Sequence, residues 1–254
     1  MPTKLVAIWN CTMGQNWNTL GMDRKLVAFR GAFHQARQKA AVTWAVDPAH
    51  APQCIFVAPE YAFADPHAGA AKPVEQTSTA AVEELLRTAR DLTQEHQGVL
   101  AVPGTVAFRE KVSNEYYRAW NASFACYRGA VLTRFEKRSG VGEVTPQETI
   151  GTPRLGFMSG LGYGTFTLNG RSYGLEICAD ATHGGTLPGQ VDVHVVVGQG
   201  VGAAAIANKG TQYLIVADPG NFTVVDSTGA NRHRRVGTED SLEGTRIHYY
   251  TVVL

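Results

Sequence analysis

The sequence predicts an α/β fold built on a mixed sheet, in one domain over residues 1–254. Three observations lead there. Up to Gly98, apolar strand-like runs alternate with amphipathic helical stretches, the pattern of parallel βαβ units. Beyond that point helices give way to strands joined by tight turns, which adds antiparallel hairpins. The chain is 44% hydrophobic and 18% charged, enough apolar residue for a large core.

Lys4–Trp9 reads as a first strand, and Asn10–Leu20 as a polar loop. Asp23 opens a helix to about Trp44, with Leu26, Phe29, Phe33 and Ala36 at helical spacing, and Asp47-Pro48 ends it. Cys54–Val57 is a continuous apolar run of the kind buried on both faces. Pro73 suits the first turn of a helix reaching Gln97, with Val82, Leu85, Leu86, Ala89 and Leu92 on one face. Val99–Val106 is expected as one strand. Trp120–Tyr127 and Val131–Phe135 are expected as a hairpin across Arg128-Gly129. Arg138–Gly160, rich in Gly and Pro, is expected as a long loop.

Tyr163–Leu168 and Ser172–Ile177 form a second hairpin across Asn169-Gly170, a strong two-residue turn signal. Val193–Val197, Tyr213–Ala217, Phe222–Val225 and Ile247–Leu254 read as strands. Ala203–Gly210 reads as a short helix, and Arg232–Arg235 as a short basic run.

Several function classes are disfavoured. A formal net charge of +1 argues against nucleic-acid or membrane-surface binding. Five apolar residues at Leu5–Trp9 fall short of a signal-peptide core, and no stretch approaches a membrane span. Cys11, Cys54, Cys126 and Cys178 are widely spaced with no C-x-x-C pair, so neither a zinc site nor a redox motif is suggested. Reduced thiols fit a cytoplasmic location. Gly198-Gln199-Gly200-Val201-Gly202 lacks the spacing of a dinucleotide loop.

Three residues follow strand ends. Cys178 ends Tyr173–Ile177 and precedes the turn-rich Ala181–Gly185. Strand ends of α/β sheets present side chains to a cleft, although a lone Cys is more often a small buried hydrophobe. Glu60 follows Phe56-Val57-Ala58-Pro59, and a lone loop Glu is more often solvated. Lys137 follows Leu132–Glu136, where the plain alternative is one more charge on a solvated run with Arg134, Glu136 and Arg138. Taken together they suit acyl transfer. Glu60 can take the thiol proton, Lys137 can stabilise thiolate and oxyanion, and the backbone N–H after Cys178 can complete an oxyanion hole. A thiolate of lowered pKa, quick to alkylate near neutral pH, is the expectation for Cys178.

Pro59-Glu60-Tyr61, Phe135-x-Lys137 and Gly174-Leu175-x-Ile177-Cys178-x-Asp180 resemble the three signatures of the nitrilase, or carbon–nitrogen hydrolase, superfamily, in its order and near its spacings. The resemblance runs from about Lys4 to Val225. It implies an αββα sandwich of mixed sheets and a triad of Glu60 as base, Lys137 as oxyanion stabiliser and Cys178 as nucleophile. It also implies hydrolysis of a small-molecule amide in preference to a nitrile, with no metal and no organic cofactor, by a homodimer or higher homo-oligomer. Tyr61, Ala179 and His183 are substrate-pocket candidates.

The chain also departs from the family pattern. A second glutamate usually lies between the Lys and the Cys. Glu148 and Glu143 are the candidates, Glu148 preferred, and neither has the usual offset. Three Gly and a Pro within Ala181–Gln190 disfavour the helix that normally follows the Cys. The segment from Gly198 to Tyr213 is short for the family. Three rivals stand beside the triad: a Cys178–His183 dyad, transfer of the acyl group to a nucleophile other than water, and a catalytically silent binding protein of the same fold.

Overall fold

The structure is a computed structural model that describes residues 3–11, 17–43, 52–63, 79–114, 116–139, 154–182, 187–206, 210–230 and 233–254. Two mixed sheets lie face to face. The first is built around three parallel strands, β1 (Thr3–Asn10), β2 (Cys54–Val57) and β3 (Val99–Val102). Each is buried on both faces, and the alternation is visible residue by residue. Leu5, Ala7, Trp9, Cys54 and Phe56 face the helices, while Val6, Ile8, Ile55 and Val57 face the second sheet.

Helix α1 (Met22–Thr43) packs Leu26, Phe29, Phe33, Ala36 and Ala40 on the outer side of this sheet. Helix α2 (Thr79–Glu95) adds Val82, Leu85, Ala89 and Leu92, the stripe expected from their helical spacing. Residue 73 lies outside the described residues, as do 44–51.

The expected strand Val99–Val106 is two strands. Pro103-Gly104 breaks the run: Pro103 has no N–H for the ladder, and Gly104 sits at φ 85°. The chain resumes as β4 (Thr105–Lys111), antiparallel to the long β5 (Tyr116–Tyr127). Arg128 (φ 51°) and Gly129 (φ 78°) make the expected tight turn into β6 (Ala130–Glu136). Within the expected loop from Arg138 to Gly160, residues Arg154–Phe157 form β7, parallel to β5. Residues 140–153 are outside the described set.

The second sheet begins with β8 (Thr165–Leu168) and β9 (Arg171–Ile177), joined across Asn169 (φ 50°) and Gly170 (φ 74°). It continues through β10 (Val193–Val197), β11 (Tyr213–Ala217) and β12 (Thr223–Asp226) in the order β12-β11-β10-β9-β8. Tyr173, Leu175 and Ile177 meet Val6, Ile8, Ile55 and Val57 in the core between the sheets. After Cys178 the helix α3 spans Ala179–Thr182 among the described residues, and a 3-10 turn covers Ala203–Ala205 with Ile206 extended; 183–186 and 207–209, the latter part of the helix expected from Ala203, lie outside the described residues. These short pieces, with Val201 and Ile206, cover the outer face of the second sheet, so the outer helical layer is thin there among the described residues.

The basic run around Arg234 belongs to an edge strand, β13 (His233–Asp240), which pairs with β14 (Arg246–Val253) on the far edge of the first sheet. Most of β13 is solvent-facing, so it has no apolar alternation to announce it. No described helix is long and apolar enough to cross a membrane.

Candidate active site

Glu60, Lys137 and Cys178 converge beyond the ends of β2, β6 and β9. Their elements are far apart in sequence, and the stacking of the two sheets brings them together.

Glu60 is fully buried, not solvated. The turn that carries it is held from the β4 side. Tyr61 adopts φ 58°, costly for a non-glycine residue, and its N–H donates to Thr105 Oγ1 at 2.8 Å. Thr105 N donates to the Pro59 carbonyl at 3.3 Å, and Phe63 N to the Thr105 carbonyl at 3.3 Å. Gly104 lies against the Pro59 carbonyl where a Cβ would collide, and Ser123 Oγ donates to the Gly104 carbonyl at 2.7 Å. The Tyr61 side chain packs on Ala107 and Ala119.

Lys137 is 1% exposed, while its neighbours Arg134 and Glu136 pair with each other at 2.6 Å nearer the surface. Its Nζ donates to Glu60 Oε1 at 3.0 Å. The backbone is fixed on both sides. Lys137 N donates to the Asn121 carbonyl at 2.8 Å, and Gly160 N to the Lys137 carbonyl at 3.1 Å. The Asp180 carboxylate takes the next two N–H groups, Arg138 at 2.8 Å and Ser139 at 2.7 Å. Burial raises the Asp180 pKa above its ordinary value, and those two N–H bonds oppose the rise. Because Asp180 is in α3, it ties the lysine to the turn carrying the cysteine.

Cys178 sits at φ 48°, a left-handed conformation that a non-glycine residue adopts at a cost. Its N–H donates to the Val197 carbonyl at 2.9 Å, and Ala181 N closes the turn on the Cys178 carbonyl at 3.1 Å. The side chain is partly exposed, unlike those of Cys11, Cys54 and Cys126, which are buried; all four are free thiols. The thiol lies 3.7 Å from the Gln199 carbonyl and also hydrogen-bonds to Glu60. Burial and then the negative charge of Glu60 push its pKa up to about 12, with Lys137 pulling the other way. The expectation of a thiolate with a lowered pKa is therefore corrected. Burial first and the Glu60 carboxylate second favour the protonated thiol, against the Gln199 carbonyl contact and the Lys137 ammonium.

The loop facing the thiol, Gly198–Gly202, is anchored by buried Asp218, which accepts from Val201 N and Gly220 N. Ala179 is buried at the start of α3. His183, Glu143 and Glu148 lie outside the described residues. Trp17, whose Nε1 donates to the Ala62 carbonyl at 2.9 Å, is a core residue. Among the described residues no group of three or more His, Cys, Asp or Glu is arranged to hold a metal ion.

Two polar features went unread in the sequence. Asn121 Nδ2 donates to Glu60 Oε1 at 2.9 Å. The available signal was an Asn in the middle of an otherwise apolar, aromatic strand. Glu176 and His194, both fully buried, approach to 3.0 Å on the outer face of the second sheet. The available signal was a Glu inside the buried run Tyr173–Ile177.

No family model and no curated protein matches the sequence. Among solved structures, the chain is similar to glutamine-dependent NAD+ synthetase from Acinetobacter baumannii in complex with adenosine diphosphate, at 14% identity and a TM-score of 0.47. The match covers 78% of this chain and 32% of that one, so the chain spans about a third of that protein's length.

Proposed function

We propose that this chain is a single-domain thiol hydrolase of the carbon–nitrogen hydrolase kind, cleaving a small-molecule amide with water. The observation that carries the reading is the buried contact set at Glu60: Lys137 Nζ on Oε1 at 3.0 Å and the Cys178 thiol on the same carboxylate. A base, a cation and a nucleophile in mutual reach form a minimal machine for acyl transfer.

In the proposed reaction Cys178 Sγ attacks the amide carbon as its proton passes to Glu60. The oxyanion is stabilised by Lys137 and by the backbone N–H of Ala179. Collapse breaks the C–N bond, and Glu60 gives its proton to the departing amine or ammonia. Water then attacks the thioester with Glu60 again as base, releasing the carboxylic acid and restoring the thiol. A thiol with a raised pKa suits this route, since proton transfer accompanies attack and no free thiolate has to accumulate.

Glu148 is the preferred second glutamate, with Glu143 as the other candidate, and Tyr61, Ala179 and His183 belong to the proposed pocket. The scheme calls on no cofactor. The working assembly is a homodimer or higher homo-oligomer in the cytoplasm. Amides and nitriles of matched side group, assayed for ammonia or amine release, test the substrate class. Turnover of amides is expected. Turnover of nitriles alone would move the assignment to a nitrile hydrolase on the same residues.

A further inference from the structure

The geometry points to Asn121 as the positioning residue that sets how the Glu60 carboxylate is used, an inference that rests on the function proposed above. Asn121 lies in β5, fully buried, and touches both charged members of the site. Its side-chain Nδ2 donates to Glu60 Oε1 at 2.9 Å. Its main-chain carbonyl accepts Lys137 N at 2.8 Å. One residue thus holds the base through its amide and the lysine through its backbone.

The consequence lies in the two oxygens of Glu60. Oε1 receives two donors, Lys137 Nζ at 3.0 Å and Asn121 Nδ2 at 2.9 Å. These use its two lone-pair directions and stop the carboxylate from turning. The other oxygen, Oε2, takes neither of these two donors. A lysine alone would leave the carboxylate able to rotate about its terminal torsion, which is broad and roughly two-fold. A second, neutral donor at a different angle removes that freedom. Because Asn carries no charge, it favours the ionised carboxylate without adding a competitor for the thiol proton.

The strand supports the same turn a second time. Ser123, two residues on and facing the same way as Asn121, bonds the Gly104 carbonyl, and Thr105 holds Tyr61 N. The centre of β5 therefore fixes the Glu60 turn from below and the Glu60 carboxylate from the side. The titratable groups around Glu60 include Lys137 beyond β6 and Cys178 beyond β9, with Asp180 near Lys137.

Alkylation of Cys178 by iodoacetamide, followed against pH by peptide mass spectrometry, tests the role without knowledge of the substrate. Two coupled groups give a profile with two breaks that belong to the Glu60–Cys178 pair. Asn121→Leu and Asn121→Ser each remove a donor that favours the ionised carboxylate. The lower break should move up by about one pH unit in both. Melting temperatures are recorded alongside; Asn121→Ser keeps the test open if Asn121→Leu does not fold. Lower melting temperatures with an unmoved break would make Asn121 purely structural and overturn the inference. Glu60→Gln is the control and should abolish the lower break. If Glu60→Gln retains it, the assignment of Glu60 as the base fails, which is a different outcome from failure of Asn121 alone.

Discussion

Lys137 Nζ stands 3.0 Å from Glu60 Oε1, and each side chain is 1% exposed. A buried ion pair is a poor way to stabilise a fold, because desolvating two charges offsets most of their attraction. This one has a third member in Asn121 and a fourth in the Cys178 thiol. Cost without stabilising return is what a chemical site is expected to show.

Charge substitutions at this pair should move Cys178 in opposite directions. The thiol pKa of about 12 is raised by Glu60 and lowered by Lys137, after the larger effect of burial. Glu60→Gln removes the like charge, lowers the thiol pKa and speeds iodoacetamide labelling at pH 8 by about tenfold. Lys137→Met removes the favourable charge and slows labelling by a similar factor. It also leaves a buried carboxylate short of its cation, at a stability cost of about 3–5 kcal/mol. Both variants lose turnover. Equal labelling rates in the two would contradict the coupling.

Strain at the nucleophile separates stability from function. Cys178 holds φ 48°, where glycine is at ease and alanine is not. Cys178→Gly should therefore be more stable than Cys178→Ala by about 1 kcal/mol, although both lack the thiol. Urea unfolding of the pair measures this. Alanine equal to or above glycine would mean that the turn relaxes away from this conformation.

Gly104 is the backbone counterpart of that strain on the base side. Its φ is 85°, and a Cβ there would run into the Pro59 carbonyl. Gly104→Ala should destabilise the chain by about 1–3 kcal/mol and loosen the Glu60 turn. The expected signature is a labelling profile for Cys178 shifted toward that of Glu60→Gln. A stability loss with an unchanged profile would confine Gly104 to a folding role.

Much of this was legible in the chain. The buried parallel strands were visible because residues such as Phe56 and Val57 are apolar on both faces. The hairpin before Cys178 was visible because Asn169-Gly170 adopts the left-handed angles its residue types favour. Glu60, Lys137 and Cys178 stood out because each follows a strand end. What escaped was decided by tertiary contact. Strand β7 lies in a Gly- and Pro-rich stretch and exists through pairing with β5. Edge strand β13 has little apolar pattern to betray it. Asn121 reads as a polar interruption until Glu60, 61 residues away in sequence, is placed beside it. The raised thiol pKa depends on burial and on the balance of two opposing charges, neither of which sequence spacing encodes.

Release of ammonia or amine from an amide panel by wild type and by Cys178→Ala tests the central claim most directly. The account predicts that Cys178→Ala keeps the wild-type circular dichroism spectrum and loses at least a thousandfold in rate, on the order expected for removal of a covalent nucleophile. A folded Cys178→Ala retaining wild-type turnover on the same amide would contradict it.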